Sequence, residues 1–240
     1  MAEPAAGQSR FSLSGTELKV IAAASMLTDH MGAVLFPQLL FLRVIGRLAF
    51  PIYCFLLAEG AVHTHNMKKY LLRLGLFAFA SEIPFDLAFR GSFFAPDYQN
   101  VFFTLLLGML MICLAGNPPQ KLLGALTKDS MTAQQIWNII VLIIFALAAQ
   151  LLKTDYGAAG VIMIFFMYMF RDNAVMRALG VVLCCLSMGM AEMPAIASLL
   201  FIWRYNGRRG WQPQPLQIGF YAYYPVHLLI LSAIAGNIPI

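Results

Sequence analysis

Charge is scarce in this sequence. Only 11% of its 240 residues are Asp, Glu, Lys or Arg, under half the share of about 25% usual in a soluble domain, while 60% are hydrophobic. That balance excludes an ordinary soluble domain and points to lipid as the solvent. Cysteine is sparse too. Cys54, Cys113, Cys184 and Cys185 all fall inside apolar runs, with no C-x-x-C spacing, so neither a disulfide framework nor a metal site is indicated and they read as small packing residues. G-x-S-x-G, H-E-x-x-H and Walker patterns are absent, which argues against serine-elbow hydrolysis, zinc proteolysis and ATP-driven transport by this chain alone. No internal repeat of the transporter kind is visible.

What the chain does have is a succession of apolar runs. They place spans near residues 18–36, 40–62, 70–89, 100–115, 135–152, 156–170, 174–191, 194–205 and 215–235. A span needs about 20 apolar residues to cross a ~30 Å hydrocarbon layer, and the run at 194–205 is short. The expected architecture is all-α: a polytopic integral membrane helical bundle with eight or nine transmembrane helices. It forms one domain over residues 18–240, after a short cytoplasmic segment, residues 1–17. Residues 1–15 are polar and lack the apolar core of a cleavable signal peptide, so the first span is expected to be retained. Ser14 and Glu17 form an S-x-x-E pattern that marks a helix start.

The basic residues orient the bundle, because short cytoplasmic loops collect Lys and Arg. With nine spans and a cytoplasmic N-terminus, twelve of the 16 basic residues fall at cytoplasmic ends: Arg10, Lys19, Lys68, Lys69, Arg73, Lys121, Lys128, Arg171, Arg177, Arg204, Arg208 and Arg209. Arg90 and Lys153 lie outside, and Arg43 and Arg47 fall within the second span. The net charge of +5 is accounted for by loops near anionic lipid, without nucleic acid.

Ionisable residues at membrane depth are expensive and mark sites. At 1.5 Å per residue, Asp29 and His30 lie ~15 Å along the helix from Lys19, near mid-bilayer, and His227 reaches a similar depth in the last span. Adjacent helical residues diverge by about 100°, so Asp29 and His30 cannot form a dyad and each needs a partner on another helix, Asp29 plausibly an arginine. Arg43 and Arg47 share a face, and Pro51 cannot donate to the Arg47 carbonyl, which opens that turn. Arg43 suits snorkelling to the interface better than the deeper Arg47.

Glu82 and Asp86 flank Pro84 near the outer surface, level with Asn100 and Asp155. They read either as a charge network balancing the two arginines or as substrate contacts, and Glu59 divides the same way. Tyr223 and Tyr224 precede His227 by four and three residues and share its face. His63 and His65 supply too few ligands for a metal. A neutral histidine can serve as base for an amine or hydroxyl attacking a carbonyl. A membrane group-transfer enzyme and a proton-coupled transporter with a buried Asp/Arg/His relay both fit these residues.

At these residues the chain resembles the TraX family of polytopic membrane proteins. The resemblance rests on Met26-Leu27-Thr28-Asp29-His30, Ile45-Gly46-Arg47-Leu48-Ala49-Phe50-Pro51, Ala58-Glu59-Gly60, Lys69-Tyr70-Leu71-Leu72-Arg73, Ile83-Pro84-Phe85-Asp86, Asn100-Val101-Phe102-Phe103-Thr104, Asp155-Tyr156-Gly157, Tyr205-Asn206-Gly207 and Tyr224-Pro225-Val226-His227, in order from first span to last. It implies a bacterial inner-membrane acetyltransferase, related to membrane acyltransferases, that moves an acetyl group from cytoplasmic acetyl-CoA to an acceptor. That acceptor would be a pilin-like protein, a peptide or a small molecule. Mapped residue by residue, it implies His30 as base, Asp29 and Arg47 fixing the site, and His227 as second base or acceptor ligand. Glu59, Tyr224 and a backbone carbonyl are candidates to orient His30. Glu59, Glu82, Asp86, Asn100, Asp155 and Tyr224 are candidates to contact substrate. Lys68, Lys69, Arg73, Arg204, Arg208 and Arg209 are candidates for the CoA phosphates. A non-catalytic assembly factor for a conjugation or secretion apparatus is the further alternative.

Overall fold

The computed structural model describes residues 12–119 and 130–236. Arg10, Lys121, Lys128 and most of segment 1–17 lie outside the described residues. The helices are α1 (Gly15–Val34), α2 (Leu40–Gly46), α3 (Ala49–His63), α4 (Met67–Arg90), α5 (Val101–Ala115), α6 (Ser130–Leu151), α7 (Gly157–Met169), α8 (Ala174–Met188), a 3-10 helix (Met190–Ser198), α9 (Leu199–Ile202) and α10 (Gln214–Ala235). Among the described residues no strand forms.

Ser14 and Glu17 close a reciprocal capping box on α1: the Ser14 hydroxyl accepts from the Glu17 amide at 3.3 Å, and Glu17 Oε2 accepts from the Ser14 amide at 2.7 Å. The helix therefore starts at Gly15, inside the segment that the pattern assigns to the polar end. Pro51 falls in the first turn of α3, where its missing N–H leaves no helical donor unpaired. The opening expected beside Arg47 is a break at Arg47–Leu48 between α2 and α3.

Three segments are long and apolar enough to cross a membrane: Leu40–His63, Met131–Leu151 and Gln214–Ala235. Val101–Ala115, Gly157–Met169, Ala174–Met188 and Met190–Ile202 are apolar but shorter. Where the sequence pattern suggests eight or nine spans, the first three of these segments meet spanning length and composition among the described residues. α1 and α4 are long, at 20 and 24 residues, but carry ionisable side chains in their interiors. The run at 194–205 becomes a 3-10 turn plus one turn of α-helix.

Large apolar side chains point outward in stripes. Leu72, Leu76, Phe79 and Ile83 are exposed along one face of α4, as are Ile139, Ile140, Ile143, Ile144 and Leu147 on α6. A stripe of this kind is stable against lipid tails and unstable in water. The protein is a membrane protein. Inside, α3 packs against α1, α7 and the 3-10 helix, and α10 packs against α1 and α4. Leu18, Ile52, Phe55, Met109, Ile164 and Leu228 are fully buried at the centre. Gly46 lets α2 press against α1, because a Cβ there would overlap Asp29.

Candidate functional site

The α1–α2 contact brings charges together in the interior. Arg43 Nη1 donates to Asp29 Oδ2 at 2.6 Å and to the Asp29 carbonyl at 3.2 Å. Arg47 Nε stands 3.8 Å from Asp29 Oδ1, and Arg47 Nη1 is 2.7 Å from Glu192 Oε1. Arg43, Asp29, Arg47 and Glu192 thus alternate in sign across three elements, so each charge removed from water has an opposite charge in contact.

One residue on, His30 points elsewhere, as the helical offset requires. Its Nδ1 lies 2.6 Å from His227 Nε2, and the two rings stack at 4.9 Å with planes 10° apart. His227 Nδ1 is 2.6 Å from the Tyr223 carbonyl, which can only accept, so Nδ1 carries the hydrogen. With both rings neutral, His227 Nε2 is then an acceptor and His30 Nδ1–H donates to it. The lone pair on His30 Nε2 is left free. Phe89, at 5.4 Å, and Tyr224, at 5.8 Å, contact the His30 ring edge to face and help hold it in place.

Two cavities share no lining residue: His30 lines one, and Tyr224, whose ring contacts both His30 and His227, lines the other. One, of about 550 Å³, is lined by the polar Lys19, Arg73, Arg209 and Gln212 and by Tyr53, Leu57, Phe102, Leu105 and Tyr224. Gln212 Oε1 accepts from Lys19 Nζ at 2.9 Å and from Arg209 Nε at 3.2 Å, bringing the two cations together. Arg73 lies over the rings of Tyr70 and Tyr221. The loop bearing Arg209 is held to the start of α1: Thr16 N donates to the Arg209 carbonyl at 3.0 Å and Gly15 N to the Arg208 carbonyl at 2.9 Å.

The other cavity, of about 740 Å³, is walled by His30, Asp29, Arg43, Arg47 and Glu192, and by Arg90, Tyr98, Lys153, Asp155 and Tyr156. The α6–α7 loop is held under strain, with Lys153 at φ 52° and Tyr156 at φ 64°. Hydrogen bonds from Gln99 N to the Lys153 carbonyl (3.0 Å) and from Asp155 N to the Gln99 carbonyl (2.8 Å) fix it, with a further one from Thr104 Oγ1 to the Asp155 carbonyl. The Tyr156 ring stacks on Phe50 at 3.6 Å, and Tyr98 donates to Asp155 Oδ1 at 2.9 Å. Burial pushes the Asp155 carboxyl up to about 6, against the opposing pull of the Tyr98 hydroxyl and Arg47.

The structure distributes the sequence candidates between these regions. Asp29, His30, Arg47 and Asp155 line the second cavity, and Glu59 and Tyr224 line the first. Glu82 and Asp86 do not balance the two arginines. Glu82 accepts from the Asn100 amide at 3.0 Å and from its side chain, and Asp86 Oδ2 accepts from Ala95 N at 2.7 Å. They secure the α4–α5 connection, because α4 turns them toward that loop. The short ion pair to Asp29 comes from Arg43 and not from Arg47, since the close packing at Gly46 holds Arg43 over α1. Neither Glu59 nor a backbone carbonyl partners His30 Nδ1; His227 does. Of the proposed phosphate ligands, Arg73 and Arg209 line the first cavity, while Lys68, Lys69, Arg204 and Arg208 do not.

Lys19, Gln212, Glu192, Tyr98 and Tyr156 were not singled out as site residues from sequence. Lys19 was visible only as a loop charge, and Glu192 as an acid beside Pro194 between two apolar runs.

A family model described as TraX protein matches residues 14–235. The chain belongs to the TraX family. The matched stretch of this TraX protein takes in the walls of both cavities. The chain is also similar to the probable fimbrial assembly protein FimC, serogroup H1, of Dichelobacter nodosus, with 30% identity over 92% of this chain and 95% of that one. A 38-residue stretch, 16% of this chain, is 47% identical to 15% of an uncharacterized protein of Rickettsia prowazekii. No solved structure matches.

Proposed function

We propose that this TraX protein is an acetyltransferase that moves an acetyl group from acetyl-CoA to an amine or hydroxyl acceptor, with His30 as base. The observation that carries this reading is the histidine pair beside the second cavity, arranged so that His30 Nε2 keeps a free lone pair. The first cavity opens at the end that the Lys/Arg pattern assigns to the cytoplasm. Lys19, Arg73 and Arg209 suit the phosphates of CoA, and the apolar and aromatic lining that includes Leu57, Phe102 and Tyr224 suits its pantetheine arm. The second cavity takes the acceptor.

In the reaction the acceptor nitrogen or oxygen attacks the thioester carbonyl carbon, forming the new C–N or C–O bond as the C–S bond breaks. His30 Nε2 takes the proton from the attacking atom and returns it to the departing thiolate, so the base is regenerated. A base so placed contributes about 10²–10⁴ in rate. Proton flow onward through His227 is blocked, because its second nitrogen already donates to a backbone carbonyl. His227 therefore acts as a positioning residue, and Asp29 and Arg47 brace the α1–α2 contact beside it. The protein would lie in a bacterial inner membrane with its N-terminus in the cytoplasm.

The similarity to the Dichelobacter fimbrial assembly protein favours a second reading: an assembly role in a fimbrial or conjugative apparatus, without chemistry. One assay separates the two. Purified full-length protein is given radiolabelled acetyl-CoA and candidate amines, and wild type is compared with His30→Ala. Transfer that falls by at least about a hundredfold in His30→Ala, with CoA binding kept, supports the enzyme. No CoA binding by the wild type would leave the assembly role.

A further inference from the structure

Four of the 16 basic residues do not lie at ends that the charge pattern assigns to the cytoplasm: Arg43, Arg47, Arg90 and Lys153. They come from α2, the break after it, the end of α4 and the α6–α7 loop. All four line the second cavity. Basic residues on the outer side run against the usual distribution, so their convergence on one cavity needs a local reason.

The charges already present account for part of it. Asp29 and Glu192 pair with Arg43 and Arg47. Arg90 pairs at 3.3 Å with Asp97, which is 60% exposed, and a pair so open to water is readily exchanged for a ligand anion. Lys153 is exposed, and the Asp155 side chain is taken up by the Tyr98 hydroxyl. The hydroxyl leaves the Asp155 charge in place, so the lining carries four cations against the three carboxylates of Asp29, Asp155 and Glu192, and of these cations Arg90 and Lys153 are the exposed ones, while His30 is less exposed in the same cavity. Arg90 also lies over the Tyr98 ring, at 5.9 Å, which holds its guanidinium at the cavity wall.

We propose that the second cavity selects an acceptor carrying an anionic group, carboxylate or phosphate, near the amine or hydroxyl that is acetylated, and that Arg90 and Lys153 hold that group. This inference rests on the acetyltransferase reading for the identity of the acceptor, but the anion site itself does not depend on it.

The test uses full-length protein in detergent with acetyl-CoA and matched acceptors: Gly-Glu-amide against Gly-Gln-amide, and phosphoethanolamine against ethanolamine. We expect the anionic member of at least one pair to be preferred by roughly tenfold or more in kcat/KM. Arg90→Gln and Lys153→Gln should bring that ratio toward one. Whichever pair shows the preference identifies the group as carboxylate or phosphate. Transfer with equal use of both members, or a preference unchanged in both variants, overturns the acceptor site while leaving the acetyltransferase reading intact. A second arm measures binding of the N-acetylated Gly-Glu-amide and of phosphoethanolamine without acetyl-CoA. Binding of either that weakens in both variants, in a protein that transfers nothing, upholds the anion site and removes the acetyltransferase reading. No binding of either, with no transfer, overturns the anion site.

Discussion

His30 Nδ1 stands 2.6 Å from His227 Nε2, joining residues 197 apart in the chain. The Tyr223 carbonyl on the far side of His227 decides which way this hydrogen bond runs, and so which nitrogen of His30 is free.

Replacing His227 tests that chain of dependence. His227→Gln keeps a carbonyl acceptor near the Nε2 position, and His227→Ala removes it. Acetyl transfer should fall by about tenfold or less in His227→Gln and by more in His227→Ala, with acetyl-CoA affinity unchanged in both. Equal losses in the two variants would mean that His227 does not orient His30 through this bond.

Gly46→Ala should disturb the site from a distance. The added methyl overlaps Asp29, so α2 must move off α1 and the Arg43–Asp29 contact lengthens. Overpacking of this kind destabilises by about 1–3 kcal/mol. Thermal unfolding of the detergent-solubilised protein should show a lower midpoint, and transfer activity should fall with it.

The first cavity separates residues that the sequence groups together. Lys19→Gln and Arg209→Gln should each raise the KM for acetyl-CoA by about tenfold, since each removes a charge that faces the cavity. Arg208→Gln, which does not line it, should leave that KM within about twofold. Steady-state kinetics with acetyl-CoA varied at saturating acceptor checks the contrast.

Asp155 gives a pH signature with a definite sign. Burial raises its folded-state value from 3.8 to about 6, so between those values the folded protein binds the proton more tightly than the unfolded chain does. The resulting stabilisation is complete below 3.8 and is lost as pH rises through about 6. The melting midpoint should therefore fall from pH 4 toward pH 7 through this group, and Asp155→Asn should flatten that part of the profile.

Much of the helical architecture was legible because it is local. A run of apolar side chains, a capping box at Ser14 and Glu17, and a proline four residues after Arg47 each act within a few residues, so the pattern carries them directly. The 100° step between Asp29 and His30 likewise required two partners before either was known. The short run at residues 194–205 is harder to read. Apolar composition marks burial in lipid and burial in protein alike, and helix length then decides which helices have the reach to cross.

Composition and spacing along the chain establish a helical membrane protein with ionisable residues inside its first, second and last long apolar runs. Hydropathy and helical period are properties of the chain alone. Helix packing in three dimensions is what makes Arg43 rather than Arg47 the short partner of Asp29, lets Glu192 close the charge chain, and brings Lys19 and Arg209 together at Gln212. It also decided that Arg90 and Lys153 share one cavity with His30. These pairings depend on which helix faces meet and how closely the backbones approach, as at Gly46. No periodicity within one segment records the neighbour that it will pack against.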